Sequence, residues 1–488
     1  MSTAAGTRAR VPKPKSRPLA VLKRRPRGWR REDVRPARAK GLLSVWGRLR
    51  RLIWSWWPWA FISVWLVTDS PSGWLAVAFG LVAILAYLAS PAAEPPRYGL
   101  DHGIAVASPG FKRTMAGASG SPFVDGNALE ILNNGDAFYP AMLEAVREAT
   151  ASITIEAYIY WAGEIGHAFA EALAAKARAG LPVKILLDAI GSAQIGRDIL
   201  HILSDAGCQV AWYNPIRWYT LGRFNNRTHR KSLIVDGRIA FTGGAGIADH
   251  WRGDARNPGE WRDIQIRLEG PAVVPLQTGF AHNWQQTTGE LVTGDAFYPA
   301  IAPAGRLAAQ TLLSSPEAGA SSVRTMYYLS ISCARESVFI ANPYFIPDPV
   351  ATELLIDACK RGVDVRIMVS GIRNDNWLAR HNSIRLFGRL LIAGIEIQEF
   401  NRTMLHHKTM VVDRRWVTVG TANFDSRSLA HNEESNVCCF DKRLAKDLHD
   451  VFLDDLGGCE RVTLERWRRR GLWARAQEFV AAFLQEQV

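Results

Sequence analysis

Two short stretches hold the side chains whose types and spacing could do chemistry. His229-Arg230-Lys231-Ser232-Leu233-Ile234-Val235-Asp236 leads to Gly243-Gly244, and His406-His407-Lys408-Thr409-Met410-Val411-Val412-Asp413 leads to Gly420-Thr421-Ala422-Asn423. Both read His-x-Lys-x4-Asp, and in both a glycine falls seven residues after the aspartate. On a strand, residues at i and i+2 project from one face, so His and Lys can address a single ligand while the residue between them points away. A nitrogen nucleophile, a fixed positive charge and a glycine turn whose backbone amides approach closely are what transfer at a phosphodiester requires. One such motif is an ordinary strand with a surface His and Lys in many chains. Two in matching places are a stronger signal.

The elements that must position these residues repeat as well. Ser152 to Tyr160 reads as a strand, His167 to Ala179 as a helix ended by Gly180, and Pro182 to Asp188 as a buried strand. Ser337 to Tyr344, Thr352 to Arg361 with Gly362, and Val363 to Ser370 repeat that order, the two terminating glycines lying 182 residues apart. Such βαβ grammar predicts a largely parallel sheet flanked by helices in each of two homologous lobes, related by a pseudo-twofold axis. The word GDAFYP also occurs twice, at Gly135 and at Gly294, but its offset of 159 is out of register, and the second copy reads as linker.

The formal charge of +13 invites a nucleic-acid partner until it is partitioned. Residues 1–51 alone carry +15, and everything after Arg51 sums to −2. A nearly neutral folded part argues against a nucleic-acid surface, and the Arg/Pro/Ala-rich tail reads as disordered. After the tail, Leu52 to Thr68 is uncharged, Asp69 to Gly73 reads as a turn, and Trp74 to Ala89 is apolar again. The pattern predicts a tight transmembrane hairpin, with an interfacial first segment and one crossing as the alternative; a cleaved signal peptide is disfavoured by the long basic stretch before it. Two crossings hold the rest of the chain on the cytoplasmic side with the basic tail, and one exports it. The six cysteines show no metal-ligand or scaffold spacing and read as idle thiols. The expected organisation is a tail (1–51), a hairpin (52–92), a linker (93–122), a first lobe (123–295), a second lobe (296–460) and a C-terminal helix (461–488). Thr463 to Gln487, where five arginines alternate with Leu, Trp and Phe, reads as a helix packed on its own domain or as an interfacial one.

The paired motifs resemble the signature of the phospholipase D superfamily, and the words around them resemble its bacterial cardiolipin synthases. Trp261-Arg262-Asp263 leading to Leu268-Glu269-Gly270-Pro271 supports this in the first lobe; Gly420-Thr421-Ala422-Asn423-Phe424-Asp425-Ser426-Arg427-Ser428, then Asn432 and Glu434, supports it in the second. The resemblance covers about residues 123 to 460. It implies two α/β lobes, each giving one half of a single active site that needs no metal and no cofactor. It also implies His229 as nucleophile and His406 as general acid and base, with Lys231 and Lys408 on the phosphoryl oxygens and Asp236 and Asp413 completing the catalytic motifs. Gly243, Gly244, Asp263, Gly420, Thr421, Asn423 and Glu434 would line the substrate. Sequence leaves open which histidine attacks first and which acid orients which imidazole.

This chain departs from the family pattern at Gly246, where an asparagine is usual, and in about ten extra residues within Pro215 to Arg227. There Arg217, Arg223 and Arg227 alternate with Trp218, Tyr219 and Phe224, reading either as a membrane-facing loop that grips anionic headgroups or as a longer solvated hairpin. The function implied is a membrane-bound phosphatidyltransferase of the bacterial inner membrane that makes cardiolipin and glycerol from two molecules of phosphatidylglycerol, an anionic phospholipid. A phospholipase D releasing phosphatidic acid is the alternative. A nuclease fits poorly with the neutral catalytic part, and a non-catalytic membrane protein with two complete motifs. The sequence does not specify an oligomeric state.

Overall fold

The computed structural model of the chain describes residues 56–69, 73–88, 103–215, 226–316 and 321–483. The basic tail, residues 93–102 of the expected linker, and residues 216–225 of the Arg/aromatic insertion, with Arg217 and Arg223, lie outside the described residues. The chain divides into two units, 1–90 and 91–488.

The first unit holds two helices, Trp56–Asp69 and Gly73–Leu88. Trp59 stacks on Phe79 with ring centroids 5.8 Å apart, and the Ser63 hydroxyl donates to the Ala76 carbonyl at 2.6 Å, so the helices run antiparallel. Here the expectation of a hairpin and the expectation of a crossing part company. The helices have 14 and 16 residues, about 21 and 24 Å at 1.5 Å per residue, against a hydrocarbon core of about 30 Å. No described helix is long and apolar enough to cross a membrane.

The second unit is built on one mixed sheet. In chain order its strands are β1 Val124–Asn133, β2 Ile153–Ala157, β3 Val183–Asp188, β4 Gln209–Tyr213, β5 Arg227–Thr228, β6 Lys231–Val235, β7 Ile239–Gly243, β8 Ile264–Glu269, β9 Leu307–Ser314, β10 Ser337–Ala341, β11 Asp364–Ser370, β12 Glu396–Phe400, β13 Lys408–Val412, β14 Trp416–Gly420, β15 Asn432–Phe440 and β16 Cys459–Val462. From the antiparallel β1–β9 pair the order runs β8-β7-β6-β2-β3-β4 to one side and β15-β14-β13-β10-β11-β12-β16 to the other. Apart from β16, the two halves repeat each other strand for strand.

The expectation of a largely parallel sheet is corrected. Among the ladders of the described residues, parallel pairing is confined to β2-β3-β4, β10-β11-β12 and the short β5–β15 contact, with three isolated parallel bridges besides; the remaining ladders are antiparallel. The βαβ crossovers read from the sequence are present, but each motif strand, β6 or β13, returns through a tight turn instead of a helix. Asp236, Gly237 and Asp413 take positive φ in those turns, a conformation that short polar side chains and glycine tolerate, and Arg414 takes it where the first turn has Gly237.

Strand alternation divides the core into layers. On β13, Met410 and Val412 join the apolar cluster on one face of the sheet while Val411 joins the cluster on the other. Helices Val273–Thr288 and Lys442–Asp455 contribute to the second of these, which draws on both halves. Within the stretch expected to be linker, helix Pro109–Ser119 is capped by Ser108, whose hydroxyl accepts from the Phe111 amide, and it buries Phe111 and Met115 completely. Phe111 meets Trp416 and Phe440 edge-on, with centroids 6.3 and 5.7 Å away. That segment therefore belongs to the catalytic unit. Phe111→Ala should destabilise it by about 3–5 kcal/mol, the usual cost of emptying a closed aromatic site, measured by denaturant unfolding of the unit's tryptophan fluorescence.

Candidate active site

The backbone before each motif histidine is tied to the opposite half of the sheet. β5 pairs in parallel with β15, and the His229 amide donates to the Glu433 carbonyl at 2.9 Å. Reciprocally, Arg262 bridges to Leu405, and the His406 amide donates to the Arg262 carbonyl at 2.8 Å. The next residue along each of these partners is an acid. Glu434 lies with both carboxylate oxygens 3.0 Å from His229 Nδ1, and Asp263 Oδ2 lies 2.8 Å from His406 Nδ1. Each half thus supplies the carboxylate that orients the other half's imidazole, which settles the pairing the sequence left open. With Nδ1–H donated to a carboxylate, Nε2 keeps its lone pair for chemistry.

Asp263 and Glu434 were expected to line the substrate; both are instead fully buried behind the rings. Asp263 also accepts from Trp251 Nε1 at 2.9 Å and from the Ile264 amide at 2.8 Å. Glu434 accepts from the Thr421 hydroxyl at 2.5 Å. The glycines expected on the substrate make room for this arrangement. A Cβ on Gly244 would stand 2.2 Å from Asp263 Oδ1, one on Gly243 2.2 Å from the Ile264 carbonyl, and one on Gly420 2.4 Å from the Ser435 carbonyl. Of that expected set, only Asn423 lines the cavity.

Asp236 and Asp413 are corrected too. Each stands at the far end of its strand, seven residues from the histidine and up to about 23 Å away at strand rise. The Asp236 carboxylate accepts the amides of Thr150, Ala151 and Ser152, and the Asp413 carboxylate those of Arg335, Glu336 and Ser337. They staple the motif hairpins to the starts of β2 and β10. The spacing from His to Asp that the two motifs share measures the length of a strand, not the reach of a catalytic acid.

His229, Lys231 and His406 line one cavity of about 290 Å³. Lys231 Nζ donates to the His229 carbonyl at 2.9 Å, and Lys408 Nζ donates to the His406 carbonyl at 2.5 Å while lying 3.2 Å from both nitrogens of that ring. Burial pulls His229 down to about 4 against the attraction of Glu434, with Lys231 adding to the fall. His406 is pulled well below its usual range by burial, Lys408 and Lys231. The same burial lowers Lys231 to about 7, helped by Lys408, and Lys408 to about 8, against the attraction of Asp263 and Glu434. The empty site therefore holds neutral imidazoles beside ammonium groups that an anion would stabilise.

Several residues of the cavity wall escaped the sequence reading. Tyr158, Tyr344 and Asp375 follow β2, β10 and β11, at the carboxyl ends of parallel strands where open α/β sheets place their sites. That rule was the signal that could have found them. The Tyr344 hydroxyl donates to Asp375, whose carboxyl is raised by burial. Asp425 and Arg427 also line the wall, and both lie within the second-lobe word already noted. Burial pushes Asp425 up to about 7, although it caps helix Ser426–Ala430 by accepting from the Ser428 amide. Arg227, read as part of either a headgroup-gripping loop or a solvated hairpin, is buried in the wall, with Nε 3.3 Å from Asp188.

The departure at Gly246 also has a structural reason. A Cβ there would stand 3.1 Å from the Trp251 ring and 2.8 Å from the Ile159 carbonyl, so an asparagine would displace the indole that holds Asp263. The two sides of the site are consequently unlike, with Asn423 on one and Trp251 and Trp261 packed against His406 on the other.

The ionisation pattern predicts a bell-shaped pH dependence of kcat/KM. Activity should rise as His229 loses its proton near pH 4 and fall in turn as His406, held well below its usual range, and then Lys231 and Lys408, between about 7 and 8, lose the protons they must keep. Bound phosphate raises the lysines, so the alkaline limb of kcat should lie above that of kcat/KM. Coincident alkaline limbs would count against lysine–phosphate pairing.

Comparison with known proteins places these motifs in context. A family model described as "Cardiolipin synthase, PLD-like domain" matches residues 142–250 and 328–456. The cardiolipin synthase of Staphylococcus aureus strain Mu50 is 32% identical over 361 residues, 73% of this chain and 73% of that protein. The major cardiolipin synthase of Bacillus subtilis is 33% identical over 365 residues, 74% of this chain and 76% of that one. Among solved structures, phosphatidylserine synthase of Haemophilus influenzae matches with a TM-score of 0.60 at 13% identity, covering 78% of this chain and all of that one, a likeness of fold.

Proposed function

We infer the function from the premise that this chain belongs to the phospholipase D-like cardiolipin synthase family: it is a phosphatidyltransferase that joins two phosphatidylglycerol molecules into cardiolipin and releases glycerol. The observation that carries the mechanism is the pair of imidazoles, each held through Nδ1 by a buried carboxylate and both opening on one cavity.

His229 Nε2 attacks the phosphorus of the first lipid, and the P–O bond to its headgroup glycerol breaks. His406 gives its proton to the departing oxygen, leaving a phosphatidyl–His229 intermediate. His406, now neutral, takes the proton from a headgroup hydroxyl of the second lipid, whose oxygen attacks phosphorus and frees His229. Lys231, Lys408 and Asn423 hold the phosphoryl oxygens as charge builds on them. The lipid anion also supplies the negative charge that lets His406 carry a proton in a site that otherwise strips it. Crossed support serves both roles, Glu434 offsetting the positive charge that forms on His229 and Asp263 the charge on His406. Hydrogen-bonding groups along the wall, Tyr344, Asp375, Asn376 and Asp425, suit a hydroxyl-bearing acceptor better than bulk water does.

We assign residues 123–295 and 296–460 as two homologous lobes, each bearing one motif. The hairpin unit is proposed as the anchor in the bacterial inner membrane, with the catalytic unit on the cytoplasmic side. Phe61, Trp74 and Val77 are more than 60% exposed on it, as lipid-facing side chains are.

Solubilised protein given phosphatidylglycerol should yield cardiolipin and glycerol in equal amounts; phosphatidic acid alone would make it a hydrolase. His229→Ala and His406→Ala should each lose at least about 10³-fold in kcat. With a p-nitrophenyl leaving group, which needs no proton, His406→Ala should still form an acid-labile phosphoenzyme and His229→Ala should not. The opposite pattern would exchange the two roles.

A further inference from the structure

The C-terminal helix Leu472–Phe483 is packed inside out. At 100° per residue, Leu472, Trp473, Ala476, Phe479 and Val480 share one face and Ala474, Glu478, Ala481 and Ala482 the other. The small face is the one that packs. Ala481 is fully buried, its carbonyl accepting from Asn382 Nδ2 at 2.9 Å, and Glu478 pairs with Arg470 at 2.6 Å. The large face points outward, with Leu472 85% exposed, Trp473 76%, Phe479 64% and Val480 54%. A helix folded only against its own domain would bury its Leu, Trp, Phe and Val and expose its alanines.

Two further observations identify what covers this face. Over residues 463–483 there are five arginines and two glutamates; Arg466 and Arg469 form exposed pairs with Glu460 and Glu465 and Arg470 pairs with the buried Glu478, so the segment keeps an excess of positive charge. The helix also rests on helix Trp377–Ile392, whose N-terminal neighbours Asp375 and Asn376 line the catalytic cavity. Beside that cavity Ile372 is 70% exposed and Trp377 45%. The exposed apolar residues of the C-terminal helix, and those at the start of the helix it rests on, which begins at the cavity wall, are taken together as one apolar strip.

We propose that this strip is an interfacial docking surface that lays the cavity mouth against a bilayer rich in anionic lipid, Leu472, Trp473, Phe479 and Val480 entering the acyl boundary and Arg466, Arg468, Arg469 and Arg475 meeting the phosphates. It deepens the proposed function by naming the surface through which membrane-resident substrate reaches the site, independently of the N-terminal hairpin.

The test uses the full chain reconstituted in phosphatidylglycerol vesicles, with benzoylphenylalanine in place of Trp473. Photolysis should cross-link it to lipid, whereas the same probe at Ala482 on the packed side should not. Cross-linking to a second copy of the chain, or to its own hairpin, would overturn the proposal. Separately, Trp473→Glu combined with Phe479→Glu should raise KM in surface concentration of lipid at least about tenfold and leave turnover of dispersed dihexanoyl-phosphatidylglycerol within about twofold, and Trp473→Phe should behave as the native chain. An unchanged surface KM, or equal loss on both substrates, would sink it. Failure of the native chain to convert the dispersed lipid would instead count against the proposed function and leave the cross-link to judge the surface.

Discussion

Everything at this site depends on an exchange: each imidazole takes its carboxylate from the other half of the sheet. The 3.0 Å contact of His229 with Glu434 and the 2.8 Å contact of His406 with Asp263 join residues 205 and 143 positions apart. Neither half can therefore present a working histidine alone. The exchange is backed by a second layer of charge. Arg230, between His229 and Lys231, pairs with Glu433, and Arg262 holds Asp455 at 2.9 Å with His407 Nε2 3.5 Å from the same carboxylate. These groups are almost wholly buried, where an ion pair contributes little net stability but losing one partner is expensive. Their effect is to fix the register of the halves to within a hydrogen bond, the tolerance that in-line attack and proton transfer need.

The backbone is arranged to permit that exchange. Placing β1 and β9 side by side puts the two repeats of strand order back to back, so that β8 and β15, which begin at or beside the two acids, run close to the axis. Asp263 immediately precedes β8 and Glu434 is the third residue of β15. Reaching across then takes only a short parallel contact, β5 on β15 or Arg262 on Leu405. Glycine at 244 is the local requirement, since any side chain there would occupy the space of the Asp263 carboxylate.

How much of this could be read in the sequence follows from what kind of information each feature uses. The repeat, the βαβ units and the strand-borne His and Lys were legible because periodicity and i, i+2 spacing are local. The sheet's mostly antiparallel pairing was not, because nothing in the residues of β6 and β13 announces a return by hairpin except Asp at a turn, and Asp236 and Asp413 were read as chemistry. Their spacing is as regular as that of a catalytic group because a strand of fixed length must end on a residue that can take positive φ and cap the neighbouring chain. Asp263 and Glu434 were found as acids but misplaced as substrate ligands, since burial is a property of the assembled halves. Tyr344 and Asp375 belong to loops whose convergence exists only after the sheet has formed.

The electrostatics close the argument about charge. A total of +13 describes a chain whose folded part is almost neutral, and at the site the total matters less than two lysines and the two acids buried behind the imidazoles. Burial drives the imidazoles neutral and weakens the hold of the lysines on their protons, so the empty site is poised against the very charge state it needs at the transition state. An entering phosphodiester reverses this, because its anion stabilises both ammonium groups and the imidazolium that must deliver a proton. Neutral ligands gain nothing from that reversal. Selectivity for an anionic phospholipid and activation of the acid are then one interaction, made by the same phosphoryl oxygens.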